Sequence, residues 1–263
     1  MLANFKLKNY DIIKKNKKIL EFKKYCRPYN LFKREYNSIM PLKIYQTWYT
    51  KNLPPKMNEN VENLKKQNPR FKHYLFDDND CREFIKNNFD SDVLNAYDSL
   101  IPGAYKADLW RLCVLYINGG IYLDIKLSCI NGFKLIELTE KNHFVRDRPL
   151  PLSIYNAVMA CEKNHPFLLL SIQKIVDNVK KKYYGPGPLW PTGPEMLGDI
   201  IIKNNLRLNI DLTHYIEGGY VIYNNIFVFS TNYPEYNNER SIQYNKLNTK
   251  RYDALWLEKK LYK

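Results

Sequence analysis

The chain has 263 residues, 45% of them hydrophobic, and a formal net charge of +14. That is enough apolar content for a sizeable core, and single α/β domains often run to roughly 250 residues. A basic surface attracts anions of every kind, but the surplus of Lys, Asn, Ile and Tyr is also what an AT-rich genome encodes, so charge alone assigns no nucleic-acid role. The composition suits a large DNA virus or an AT-rich microbe. The five cysteines are scattered and form no C-x-x-C pair, so neither a disulfide framework nor a zinc site is indicated. No apolar run reaches the ~18 residues of a spanning helix or forms a signal peptide. A cytoplasmic or soluble intracellular protein is expected, with virus association compatible with the composition, no transmembrane segment and an oligomeric state left open.

In chain order, residues Asp11 to about Lys24 read as a lysine-rich helix, and residues 1–38 as a helical extension ahead of one domain over 39–263. Leu42–Trp48 after Pro41 reads as the first core strand. Met57, Val61 and Leu64 recur at helical spacing until Asn68-Pro69 ends the helix. Phe71–Phe76 is a second strand, and Asp80 with Glu83 forms a cap and third-position pair for a short helix. Strand, helix, strand, helix predicts a partly parallel sheet with helices on its faces. A helix over Ala104–Ile117 stops at Gly119-Gly120, and Ile121–Lys126 follows as a strand. Tyr183–Pro194 is a Pro/Gly-rich loop. Asn224-Asn225, between Tyr220–Tyr223 and Ile226–Phe229, is a two-residue hairpin signal.

The chemistry concentrates in Ala104–Lys126. Asp108 and Arg111, three apart, share a helix face with Leu112 and Leu115. Opposite charges on a buried stripe are costly unless paired or met by a ligand. A structural ion pair and a ligand site both satisfy that condition. On the strand, Ile121, Leu123 and Ile125 face one way, Tyr122, Asp124 and Lys126 the other. The second set sits at a strand end, where α/β folds bind ligands. A solvated edge would carry the same pattern. His73, His143, His165 and His214 show no metal-ligand spacing; His214 qualifies only if the fold returns it to Asp124.

Ala107, Asp108, Arg111, Gly119, Gly120, Tyr122 and Asp124 resemble the helix-to-strand motif of the DXD-containing glycosyltransferases of family 32, which include fungal initiating mannosyltransferases. The same stretch is similar to the catalytic core of the large glucosylating bacterial toxins. Pro41–Trp48, Asn68-Pro69, Tyr74–Asp78, Asn156-Ala157 with His165-Pro166, and Thr192-Gly193-Pro194 extend the resemblance in order across about 41–197. It implies a single GT-A type α/β domain, Rossmann-like, with a mixed, mostly parallel sheet flanked by helices. It implies transfer of a hexose from a UDP- or GDP-sugar to a glycan, glycolipid or protein acceptor, with retention of anomeric configuration.

By position, the resemblance places Gln46, Thr47 and Trp48 at the base or ribose, Asp108 on sugar hydroxyls and Arg111 on sugar or diphosphate. Tyr122 lies near ribose and phosphates, Asp124 on ribose and a Mn2+ or Mg2+ ion, and Asn156 faces the sugar. Trp256 either closes over the donor or packs in a C-terminal helix, and Trp190 either lines the acceptor site or stiffens its loop. The departure is Lys126, where the family has its second Asp. Three readings stand: a metal held by Asp124 and a carboxylate from elsewhere, an ammonium that neutralises the diphosphate itself, or an inactive relative that binds sugar nucleotide or glycan. A basic nucleic-acid-binding protein is the remaining alternative, and no nucleic-acid motif accompanies it.

Overall fold

A short strand after Pro41 starts the sheet on which the rest is laid. In a computed structural model, which describes residues 23–30, 35–148, 152–206, 214–216 and 219–263, that strand is β1, Lys43–Thr47. It is followed by α1 (Pro55–Gln67), β2 (Lys72–Phe76), α2 (Asp78–Asn88), α3 (Ser91–Ser99), α4 (Gly103–Asn118) and β3 (Gly120–Leu123). Then come β4 (Ser128–Cys129), a 3-10 turn at Leu135–Leu138, β5 (His143–Arg148), β6 (Ser153–Cys161), α5 (Pro166–Lys180) and α6 (Pro194–Lys203). The chain closes with β7 (His214–Ile216), β8 (Tyr220–Tyr223), β9 (Ile226–Ser230), α7 (Tyr236–Lys246) and α8 (Tyr252–Leu257).

The main sheet has the order β2-β1-β3-β6-β5. β2, β1 and β3 are parallel, β6 runs against β3, and β5 against β6, so four of the five strands point one way. This is the mixed α/β sheet expected. Its faces separate by strand alternation. Tyr45, Tyr122 and Met159 meet the helices α2 to α6, while Ile44, Ile121 and Leu123 meet an antiparallel second sheet, β4-β9-β8-β7. The predicted hairpin is there: Asn224 and Asn225 have φ of 50° and 58° between β8 and β9, as a turn matched to strand twist requires. Of the expected N-terminal helix, only the end lies within the described residues. Tyr29, from that extension, is buried in the inter-sheet core and donates its hydroxyl to Glu137 Oε2 at 3.1 Å. No helix among the described residues is long and apolar enough to cross a membrane.

α4 is buried on nearly every side, from Tyr105 through Leu109, Trp110, Leu112 and Cys113 to Leu115. Its run Leu109–Leu115 is apolar all round apart from Arg111, the pattern of a helix inside a core rather than on it. Two expectations shift by a few residues. The helix after β2 is capped by Asp77, with Asp80 at the third position completing the reciprocal pair, one turn earlier than Asp80 and Glu83. β3 ends at Leu123, so Asp124 and Lys126 sit in the turn behind it, closed by the Leu127 N–H on the Asp124 carbonyl at 3.0 Å.

The α4–β3 junction relies on its glycine pair. Gly119 and Gly120 have φ of 64° and 111°, and a Cβ on Gly120 would lie 2.9 Å from the Lys43 carbonyl of β1. Gly120→Ala therefore combines left-handed strain with a backbone clash. It is expected to cost ~1–3 kcal/mol in denaturant unfolding; an unchanged midpoint would remove the junction from the list of constraints.

Candidate active site

The end of α4's first turns and the turn after β3 converge on one cavity of about 610 Å3, within the range of small-molecule sites. Asp108, Arg111, Tyr122, Asp124, Lys126, Asn156, Thr47 and Trp48 all line it. At its floor, Arg111 Nη2 lies 3.2 Å from Asp108 Oδ1, and Nη1 donates to Asp124 Oδ1 at 3.1 Å and to the Asn156 carbonyl at 2.8 Å. Arg111 Nε donates to the Ala107 carbonyl at 3.1 Å, and the guanidinium lies over the Tyr122 ring at 4.4 Å. All three guanidinium nitrogens thus have protein partners. Arg111, expected on sugar or diphosphate, instead braces the two carboxylates that face the cavity.

Each carboxylate is also oriented from the other side. Asp108 Oδ1 accepts from Asn156 Nδ2 at 2.9 Å, and Oδ2 from Thr192 Oγ1 at 2.8 Å. Asp124 Oδ1 accepts from the Tyr122 hydroxyl at 2.8 Å, and Oδ2 faces Lys126 Nζ at 3.5 Å. Side-chain exposure separates the roles: 24% for Asp124 and 23% for Lys126, against 6% for Arg111. A ligand meets the first two and only the edge of the third.

One guanidinium shared by two carboxylates leaves them unequal. Burial pushes Asp108 up to about 6, with Arg111 and the Thr192 hydrogen bond opposing and Asp124 reinforcing the rise. Burial also acts on Asp124, but Arg111, Lys126 and the Tyr122 hydroxyl outweigh it and hold that carboxyl below the usual range. Burial disfavours the Arg111 charge, yet Tyr122, Asp124 and Asp108 raise its pKa above the ordinary arginine value.

Two expected donor contacts are not brought to the cavity. Gln46, on the opposite face of β1 from Thr47, is fully buried and pairs with His73 Nε2 at 2.9 Å. Trp256 donates its indole N–H to the Tyr184 carbonyl at 2.7 Å and packs beside the helical core. The Pro/Gly loop lines the cavity through Pro188, Leu189 and Gly193 rather than Trp190. Trp48 stays: it is 8% exposed, and its indole nitrogen has no partner among the described residues. Strand β7, which carries His214, belongs to the second sheet.

Other lining residues had no assigned role. Asp78, already visible in the Asp77-Asp78 pair, and Tyr105 reach the wall. So do Tyr236, Arg240 and Tyr244 of α7, for which the sequence offers no signal.

The donor set does not suit a hard divalent cation at Asp124. Such ions take several oxygen ligands, while Asp124 Oδ1 already holds Arg111 and Tyr122, and its Oδ2 faces an ammonium. Among the described residues no three His, Cys, Asp or Glu side chains cluster for a metal. Two like unit charges ~4 Å apart repel by about 4 kcal/mol at an effective dielectric of ~20, and a divalent ion beside Lys126 would meet more than that.

Residues 54–145 match the model of the glycosyltransferase sugar-binding region containing the DXD motif, a span that includes Asp108, Arg111, Asp124 and Lys126. That span of the chain is similar to this region. It is 33% identical over 169 residues to inositol phosphoceramide mannosyltransferase 3 of Schizosaccharomyces pombe, covering 62% of this chain and 45% of that protein. It is 33% identical over 138 residues to an uncharacterized glycosyltransferase of Acanthamoeba polyphaga mimivirus, covering 49% and 52%. The chain thus spans about half the length of these curated relatives. Among solved structures, the PaToxG glycosyltransferase superposes with a TM-score of 0.49 at 17% identity, covering 63% of this chain and 70% of that one.

Removing the brace should leave Asp108 with no cationic partner and Asp124 with Lys126 alone. Arg111→Met is expected to cost ~3–5 kcal/mol of stability. Arg111 is the largest cause opposing burial at both acids, so losing it raises both pKa values relative to wild type and lets the folded variant hold more protons. A folded state that binds more protons than the unfolded one gains stability as pH falls. The penalty should therefore be smaller at pH 5 than at pH 8 in urea titrations; a pH-independent penalty would mean that packing, not charge, is what Arg111 supplies.

Proposed function

We propose that this chain is a glycosyltransferase that moves a hexose from a nucleotide-diphosphate sugar to a hydroxyl of a glycan, glycolipid or protein acceptor, with retention of anomeric configuration. The observation that carries it is the oriented pair Asp108 and Asp124 at the floor of one cavity, inside the matched sugar-binding region. Residues 39–263 form the catalytic domain in this reading. The mannosyltransferase relative makes mannose the first hexose to test, and its name makes an inositol-phosphate lipid the first acceptor.

The chemistry asks for little covalent work by the protein. The bond from the anomeric carbon to the diphosphate oxygen breaks with its electron pair on oxygen, the acceptor hydroxyl oxygen bonds to that carbon, and nucleoside diphosphate and a proton are released. Positive charge develops on the sugar ring and negative charge on the leaving group. Preorganised charges at both ends lower the barrier. Asp108 and Asn156, locked to each other at 2.9 Å, offer the sugar hydroxyls a carboxylate and an amide. Asp124, with one oxygen fixed by Arg111 and Tyr122, meets the ribose through the other. Thr47, Trp48 and Tyr122 wall the nucleotide side. The Mn2+ or Mg2+ implied by the resemblance enters no step.

Asp108→Ala and Asp124→Ala should each lower release of UDP or GDP from the matching sugar nucleotide by ~10²-fold or more, with thermal unfolding confirming that the variants fold. Full activity in both would put the site elsewhere. Tight nucleotide binding with no turnover over a broad acceptor panel would favour an inactive sugar-nucleotide binder, the reading that Lys126 in place of the second Asp keeps open.

A further inference from the structure

If a divalent ion has no place at Asp124, the charge that a diphosphate brings must be met by the protein. The floor of the cavity is close to neutral by itself: Asp108 and Asp124 are balanced by Arg111 and Lys126. Arg111 is engaged at every nitrogen, so it offers a bound anion little beyond its field. Lys126 differs. Its ammonium has one carboxylate contact, at 3.5 Å, and it lines the cavity with its side chain 23% exposed. An ammonium carries three donors, so donors remain for a second anion.

A further cation lines the same cavity from α7. Arg240, on α7, lies over the rings of Tyr236 at 5.2 Å and Tyr244 at 5.8 Å. Its Nη2 approaches Asn237 Oδ1 at 3.4 Å, and it has no carboxylate partner among the described residues. A guanidinium resting against aromatic rings, with no carboxylate to neutralise it, keeps donors for phosphate oxygens.

The fold joins these two cations mechanically. The Lys126 carbonyl accepts the Tyr233 N–H at 3.0 Å, just ahead of α7. The next residue along α7 from the cavity side, Glu239, accepts from the N–H groups of Lys56 and Met57 at 3.0 Å each, and from the Tyr233 hydroxyl at 2.6 Å. Pro54 gives α1 no side-chain cap, so this carboxylate satisfies orphan donors at the start of α1. α7 is thereby fixed against α1 and the Lys126 turn, and Arg240 is presented from a preset direction.

We propose that the cavity holds the diphosphate of its donor directly, between the Lys126 ammonium and the Arg240 guanidinium, without a divalent cation. This rests on the nucleotide-sugar reading above, and deepens it: Lys126 replaces both the second carboxylate and the ion that carboxylate would bind.

The test is equilibrium binding of UDP and GDP to the full chain, by calorimetry, with chelator and with Mn2+. Wild-type Kd for the preferred diphosphate should agree within about threefold between the two conditions. Lys126→Ala and Arg240→Ala should each weaken binding by roughly tenfold or more, as loss of a charge-assisted contact does. Arg240 is half-exposed, so its variant serves even if Lys126→Ala fails to fold. Lys126→Asp, which recreates the paired carboxylates, should lose binding in chelator and regain it with Mn2+. Wild-type binding that disappears in chelator, or Lys126→Asp binding as tightly as wild type in chelator, overturns the inference while leaving the nucleotide-sugar reading intact. Folded wild-type protein that binds neither diphosphate in either condition overturns both.

Discussion

The buried guanidinium of Arg111 is the interaction on which the site depends. It touches Asp108 on its own helix, Asp124 in the next turn of chain and the backbone of Asn156 on β6. Three separate elements therefore share one charge. Burial makes that charge expensive and its partners obligatory, so the three elements cannot drift apart without exposing an unpaired ion in the core. The same sharing makes the two carboxylates unequal. Asp124, helped also by Lys126 and Tyr122, stays a firm anion, and Asp108 is pushed to about 6. Two carboxylates a short distance apart thus have distinct electrostatic characters, set by neighbours rather than by residue type.

Around that centre the sheet supplies geometry. β1 and β3 are adjacent and parallel, so their ends deliver Thr47 and Trp48 beside Asp124. The glycine pair lets α4 run into β3 with no intervening loop, which fixes the distance between Asp108 on the helix and Asp124 past the strand. α7 completes the wall from a distant part of the chain, held by its carboxylate on the start of α1.

How much of this was legible follows from what each signal is made of. The α4–β3 segment could be read because local chemistry sets it: an apolar helix interrupted by one acid and one base, then two glycines. The Asn224-Asn225 turn was legible for the same reason. The cap of α2 was misplaced because Asp77-x-x-Asp80 and Asp80-x-x-Glu83 both fit the pattern, and only backbone geometry chooses. The strand read from sequence as Ile121–Lys126 runs three residues past the end of β3, because Tyr122, Asp124 and Lys126 continue the strand alternation that the turn has already broken. Gln46 and Trp256 were carried over by motif position, yet strand alternation sends the first to His73 and the indole N–H of the second finds Tyr184. Arg240 was invisible. On a polar helix it looks like any surface arginine, and its direction is set by the contact its neighbour Glu239 makes with the far end of the sequence.

That last contact bears on how the molecule comes to be assembled. Glu239 meets Lys56 and Met57 across 183 and 182 positions of chain, and long-range closures are slow because their entropy is lost before any contact rewards it. During synthesis the first helix of the domain emerges early with its leading amides unsatisfied, and waits for nearly the whole chain before its cap arrives. The floor of the cavity, built from residues between 108 and 192, can be in place while α7 is still on the ribosome. The cavity gains its second side last, so a chain stalled before residue 239 would hold a formed floor open to water.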